Sequence, residues 1–168
     1  MRCRMVSVFD TRPCSLGEGP LWHPLRGELF WFDINAHQLL SKAALWQFDE
    51  YVSTAGWISQ DELLIASESQ LFRFHLSDHS QSKICDLEAD NPLTRSNDGR
   101  CDPQGGFWIG TMGKKAEAKR ARFTDIIAVI WCGYSLRSPF PMPYVLHQTG
   151  RQPISQIPRS GKFLRSIW

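Results

Sequence analysis

Arg95-Ser96-Asn97-Asp98-Gly99-Arg100-Cys101-Asp102-Pro103-Gln104-Gly105-Gly106-Phe107-Trp108-Ile109-Gly110-Thr111-Met112 is the stretch on which the fold turns. An Arg, an Asn and two Asp precede a run of turn formers. Pro103 pre-sets φ, and Gly105 or Gly106 can take a positive φ, so Asp-Pro-Gln-Gly-Gly is turn chemistry. Phe107-Trp108-Ile109 then begins an apolar strand. Taken alone, the stretch is a polar segment, a turn and a buried strand, with solvated side chains before the turn.

The same scheme recurs upstream. Leu21 to Ile34 holds a strand, a turn at Pro24 to Gly27, and a second strand rich in aromatics. Leu39-Leu40-Ser41-Lys42 and Leu45-Trp46-Gln47-Phe48 continue as short strands. Trp57 to Ala66 repeats strand, polar turn and strand around Gln60-Asp61-Glu62. Gln70 to Leu76 alternates apolar with other residues, the period of a half-buried strand, and places His75 toward solvent. Asp78-His79-Ser80 is a turn, and Ile84 to Glu88 reads as a further edge. The three polar turns near 24, 61 and 104 recur at roughly 40 residues, the period of propeller blades built from four short strands. The expected fold is all-β, an incomplete propeller. A closed ring needs about 4 to 8 blades, and residues 1–117 supply fewer than three. His23, just before Pro24, reads as a turn residue rather than a ligand. Glu18, on the Gly-rich turn Ser15 to Pro20, is either a solvated loop acid or an oxygen ligand at the head of a buried strand.

Composition narrows the class. Hydrophobic residues make up 42% of the 168 and charged residues 21%, enough apolar material for one globular domain. No apolar run approaches the roughly 18 residues of a membrane span, and Met1 to Phe9 lacks the apolar core of a signal peptide. The five cysteines are scattered without a C-x-x-C pair, so neither a zinc site nor a disulfide framework is indicated, and a cytoplasmic setting is expected. The net charge of +2 hides an asymmetry. Residues 1–117 hold 11 Lys/Arg against 16 Asp/Glu, and residues 118–168 hold 8 against the single acid Asp125. A basic tail suggests nucleic acid or a membrane surface. This one has Trp131, Tyr134, Tyr144 and Trp168 but no RNA-binding motif, so neither partner is expected.

Three blocks carry a resemblance to a known family: Leu16-Gly17-Glu18-Gly19-Pro20-Leu21-Trp22, Leu29-Phe30-Trp31-Phe32-Asp33-Ile34, and Arg95 to Gly99 with Asp102-Pro103 through Met112. From about residue 14 to 117 the chain resembles the regucalcin–gluconolactonase group of sugar-lactone hydrolases, six-bladed β-propellers that use a divalent metal. The resemblance implies two to three blades of that fold, a small sugar lactone as substrate, Glu18 as a metal ligand, and Arg95 and Asn97 as substrate-binding residues. Calcium is the metal it implies first, with zinc, magnesium or manganese as alternatives. The chemistry is coherent. A hard cation takes oxygen ligands and activates water, while an Arg and an Asn orient hydroxyls and stabilise charge developing on oxygen. Asp98 reads as a turn or supporting group.

After Glu117 the resemblance stops. The family's later Asn ligand and its Asp, both ligand and proposed base, have no counterpart in residues 118–168. Reverse translation supplies a reason. Reading each codon's third base with the next two, Ala118 to Asp125 permits Glu-Ala-Gly-Ala-Ile-Tyr-Arg-Tyr. Pro141 to Gly150 permits Asn-Ala-Ile-Cys-Phe-x-Pro-Asp-Gly, and Gln152 to Pro158 permits Ala-Tyr-Phe-Thr-Asp-Thr. These strings follow next in the family, in that order. The expected organisation is therefore a partial propeller over 1–117 and a frame-shifted, irregular segment over 118–168, with metal binding weak or absent and catalysis lost. The alternative is a non-enzymatic calcium- or sugar-binding propeller fragment that acts by assembly with a partner.

Overall fold

The computed structural model describes residues 6–101, 106–116, 122–128 and 146–153. They form twelve strands and, among the described residues, no helix. Three antiparallel sheets of four strands follow one another along the chain. The first holds β1 (Gly17–His23), β2 (Glu28–Asp33), β3 (Gln38–Ser41) and β4 (Leu45–Gln47). The second holds β5 (Val52–Trp57), β6 (Glu62–Ser67), β7 (Gln70–His75) and β8 (Gln81–Asp86). The third holds β9 (Thr94–Cys101), β10 (Phe107–Gly113), β11 (Arg122–Ala128) and β12 (Leu146–Pro153). In each sheet spatial order equals sequence order, so each is a meander of hairpins. The turns near 24 and 61 join the first two strands of the first and second sheets, and the one near 104 falls between β9 and β10, outside the described residues. In the first, Gly27 takes φ +61° in the open, with nothing near the position a Cβ would occupy.

Alternation along the strands decides what each sheet faces. Leu21, Phe30, Phe32, Leu39 and Trp46 of the first sheet pack on Trp57, Leu63, Ile65, Phe72 and Phe74 of the second. Leu64, Ala66 and Leu71 point the other way and pack on Phe107 and Ile109 of the third. The middle sheet is therefore covered on both faces, which explains why β6 reads Leu-Leu-Ile-Ala without a polar interruption. Burying each large apolar side chain contributes roughly 1.5–3 kcal/mol before conformational entropy is counted. The outermost strand β8 is largely exposed and carries Lys83 paired with Asp86, the charged edge that discourages strand addition.

The first strands β1, β5 and β9 are mutual neighbours. They run side by side in one direction. Gly19 and Ser53 approach near their starts, and the rings of His23 and Trp57 lie 5.6 Å apart at their ends. Sheets stacked around their first strands are the blades of a β-propeller, as the 40-residue repeat implied.

Two expectations need correction. His23 is not a turn residue: it is fully buried between Phe30 and Trp57, with its Nε2 2.9 Å from the Ser59 carbonyl. It is the last residue of β1, one position earlier than the turn, and the alternation that buries Leu21 buries it too. Cys14 and Cys85 are free, but Cys101 is disulfide-bonded, a pairing that scattered spacing cannot reveal. Of the segment 118–168, residues 122–128 and 146–153 form β11 and β12 of the third sheet. Its other residues, like Asp102 to Gly105, lie outside the described set. No helix among the described residues is long and apolar enough to cross a membrane.

Candidate functional site at the axial mouth

The starts of the three first strands bring polar side chains to one end of the propeller axis. Glu18 stands exposed near the start of β1, opposite Phe32 of β2 and just before a bulge. Gly19 makes its placement possible. Its φ is +58°, and a Cβ there would lie 2.2 Å from the Ser53 carbonyl oxygen and 3.0 Å from the Phe32 ring. Only glycine lets β1 come this close to β5, so Glu18 is carried to the first residues of the second blade.

From Ser53 the link continues to the third blade. The Ser53 hydroxyl donates to the Ser96 hydroxyl at 2.7 Å, and Ser96 donates onward to the Ala66 carbonyl at 3.3 Å. Ser96 lies between the two residues singled out in the sequence. Arg95 is only 6% exposed, and its Nη1 donates to the Ser96 carbonyl at 2.8 Å and to Asn97 Oδ1 at 3.1 Å. Asn97 is half-buried beside it. Burial pushes the Arg95 pKa below its usual value, against the opposing influence of Tyr51 and Glu18. The guanidinium remains charged, held by neighbours rather than by water. Glu18, Arg95 and Asn97, which the family resemblance drew from two motifs far apart in sequence, thus lie at the same end of the first strands. Asp98 is exposed and accepts from the Gly99 amide at 2.8 Å, a local turn-like contact.

A second tier was not visible in the sequence. Lys114 follows β10 and pairs with Glu68, which follows β6, at 2.9 Å. Its ammonium also lies 5.5 Å from the centre of the Tyr51 ring, and His37 packs edge-on to the same ring at 4.4 Å. These residues sit just outside the strands, so no alternation flags them. Aligning the three sheets by their first strands would have placed them at one end. Below the mouth, Pro20, Ala55, Gly56, Asp98 and Arg100 line part of a cavity of about 70 Å³ on the axis.

The metal expectation can be tested on the donors. A calcium-type ion takes about 6 to 8 oxygens. Among the described residues no group of three or more His, Cys, Asp or Glu side chains is arranged to hold a metal ion. Asn97 Oδ1 already accepts from Arg95, and Glu68 is engaged by Lys114. Glu18 alone does not make a cage, so the described residues do not fit the ion.

The sequence matches the family described as SMP-30/gluconolactonase/LRE-like region over residues 16–132. The chain belongs to that family. Within the SMP-30/gluconolactonase/LRE-like family it is 34% identical to an L-arabinolactonase of Azospirillum brasilense over 121 residues, 68% of this chain and 40% of that protein. It is 34% identical to the pentonolactonase XacC of Haloferax volcanii over 115 residues, 64% of this chain and 38% of that one. Among solved structures, a calcium-binding protein, regucalcin, from Agrobacterium tumefaciens superposes with a TM-score of 0.67 at 35% identity, over 70% of this chain and 42% of that one. The chain spans about two fifths of the length of the curated relatives it matches. The family match continues past Glu117, through β11, to residue 132.

Proposed function

We propose that this chain is the N-terminal part of a sugar-lactone hydrolase in which Arg95 and Asn97 bind the lactone and Glu18 is the family's metal residue. The observation that carries the reading is the convergence of these three side chains on one axial mouth, through Gly19, Ser53 and Ser96. The names of the relatives support the substrate class, a small sugar lactone. Arg95 is suited to hold the lactone's carbonyl oxygen as negative charge develops there, because its charge is already desolvated. Asn97, oriented by Arg95, offers its amide N–H groups to a ring hydroxyl. A general base must take a proton from the attacking water, and the Asp that the family resemblance assigns to that role has no counterpart in residues 118–168. The chain as written is therefore proposed to bind lactone weakly and to hydrolyse it slowly or not at all, with its reading frame changed after Glu117.

The experiment is hydrolysis of pentono- and hexonolactones by the purified chain, with and without chelator, alongside calorimetric lactone binding. Weak binding lost in Arg95→Ala, without turnover, is expected. Turnover abolished by chelator would overturn the inactive reading. Sequencing the gene and its transcript across codons 112–125 tests the frame: an extra or missing base restores the family strings, and an unaltered reading removes the proposal. A second reading, a non-catalytic fragment that works only when assembled, is favoured by the exposed Trp22 and Leu45 of the first sheet.

A further inference from the structure

We infer that the axial mouth holds the ring-opened sugar acid more tightly than the lactone, with its carboxylate on the free edge of Arg95 beside Lys114 and a hydroxyl on Asn97. The inference deepens the lactonase reading and rests on it for the sugar. Its starting point is a buried charge without a counter-ion. Arg95 is 6% exposed, and among the described residues it forms no salt bridge. Its Nη1 directs both hydrogens to neutral oxygens, the Ser96 carbonyl and Asn97 Oδ1. Glu18 acts on it only through space, with no hydrogen bond between them. Burying a charge without an ionic partner is costly, and charged side chains this deep are nearly always paired. A guanidinium seated on neutral oxygens is the complement of an incoming anion.

The unused edge of Arg95 sets the shape of that anion. Its Nε and Nη2 form the parallel side-on pair of the guanidinium. They donate to nothing among the described residues and are not sealed from solvent. Two parallel donors fit the two oxygens of a carboxylate, whereas a lactone carbonyl offers one. Hydrolysis adds the oxygen of water to the carbonyl carbon and breaks that carbon's bond to the ring oxygen, which leaves as a hydroxyl, and a proton is released. The product therefore carries the second oxygen and the full charge that the fork is built to meet. Lys114 supplies a second cation. Arg95 faces Met112 across β9 and β10, and the Lys114 amide continues the pairing by donating to the Leu93 carbonyl. Arg95 and Lys114 are thus diagonal neighbours, within reach of each other's long side chains. The Lys114 ammonium lies 5.5 Å from the centre of the Tyr51 ring, whose electrostatic influence Arg95 also feels. An ammonium has three donors. Glu68 takes one of them, and the Lys114 side chain is 28% exposed. Asn97 Oδ1 is occupied by Arg95, which leaves its amide N–H donors for a hydroxyl near the carboxylate.

Calorimetry of the full chain with pentonate and hexonate salts, their neutral alditols, their lactones and inorganic phosphate tests this. The sugar acid should bind about tenfold or more tighter than its alditol and its lactone, the gain of a bidentate charge-assisted pair. In Arg95→Lys, which keeps the charge and removes the fork, that preference should fall to about twofold. Lys114→Gln should weaken binding of the acid and flatten its salt dependence. An alditol, a lactone or phosphate bound as tightly as the acid overturns the inference. Should Arg95→Lys unfold, the unaltered chain serves. Its Arg95 Nε–H resonance should shift on addition of the acid and stay in place with the alditol, and a resonance indifferent to both refutes the fork. The two readings fail separately. Lactone binding that is lost in Arg95→Ala, with the acid bound no tighter, sinks this inference alone. Acid binding without any lactone binding removes the lactonase reading and leaves the anion site, and binding of neither sinks both.

Discussion

Replacing Gly19 by Ala should destabilise the chain more than the same change at Gly27, and the difference measures what holds Glu18 in place. Both glycines have positive φ, +58° and +61°. A left-handed conformation costs an L-residue roughly 1–2 kcal/mol, so Gly27→Ala, with open space around it, should cost about 1 kcal/mol. Gly19→Ala adds a collision. Its Cβ would sit 2.2 Å from the Ser53 carbonyl oxygen, a backbone atom that moves only if β5 moves. Backing β5 away weakens the 2.7 Å bond between the Ser53 and Ser96 hydroxyls, both fully buried. Leaving a buried hydroxyl unsatisfied costs roughly 1–3 kcal/mol. Gly19→Ala should therefore cost about 2–4 kcal/mol, against a typical domain stability of about 5–15 kcal/mol. Urea unfolding followed by tryptophan fluorescence reads both variants on one scale. Equal midpoints for the two would refute the argument that the approach of β1 to β5 is enforced by Gly19.

Phe74→Ala should cost about 3–5 kcal/mol in the same assay, because Phe74 is 2% exposed and packs on Trp46 and Phe48. Leu25→Ala, in an exposed turn, should stay within about 0.5 kcal/mol. His23 has its pKa lowered chiefly by burial, with its Nδ1 unpartnered. The unfolded chain then binds the proton more readily, so the stability His23 contributes is full above its ordinary value of 6.5 and falls as pH drops below it. Urea midpoints between pH 8 and 5 should decline, and in His23→Leu that part of the decline should vanish. A double-mutant cycle of Ser53→Ala and Ser96→Ala should give a coupling of about 0.5–2 kcal/mol, and additivity would show the bond to be unimportant. The Asp10 carboxyl, bonded by the Arg12 side chain and amide, should titrate at about 2 by NMR.

The blade pattern was legible because propellers repeat. Three polar turns at similar spacing marked the first hairpin of every sheet, an aromatic run marked β2, and alternation marked β7. Glu18, Arg95 and Asn97 were legible only through motif resemblance, since nothing in an isolated exposed acid or a strand Arg announces a shared site. Their convergence depends on Gly19, whose contact is with Ser53, 34 positions on. Lys114, Glu68 and Tyr51 stayed hidden because they flank strands and meet only when the sheets stack. His23 was misread because Pro24 suggested that the turn began one residue early. Sequence patterns report a residue's own strand well, and contacts between sheets poorly.

The doubly covered strand β6 carries a consequence for how the chain finds its fold. In a half-buried strand, a slip of one residue throws the apolar set into water and is rejected at once. In β6 a slip merely exchanges Leu63 and Ile65 for Leu64 and Ala66, and both neighbouring clusters still receive apolar side chains. Register must instead be held at the ends: by the Leu76 amide on the Asp61 carbonyl at one, and by the Ser67 hydroxyl bridging the Gln70 amide and carbonyl at the other. The central blade is thus where an off-register intermediate would survive longest. Loosening the Ser67–Gln70 turn should slow folding more than its small contribution to stability would suggest.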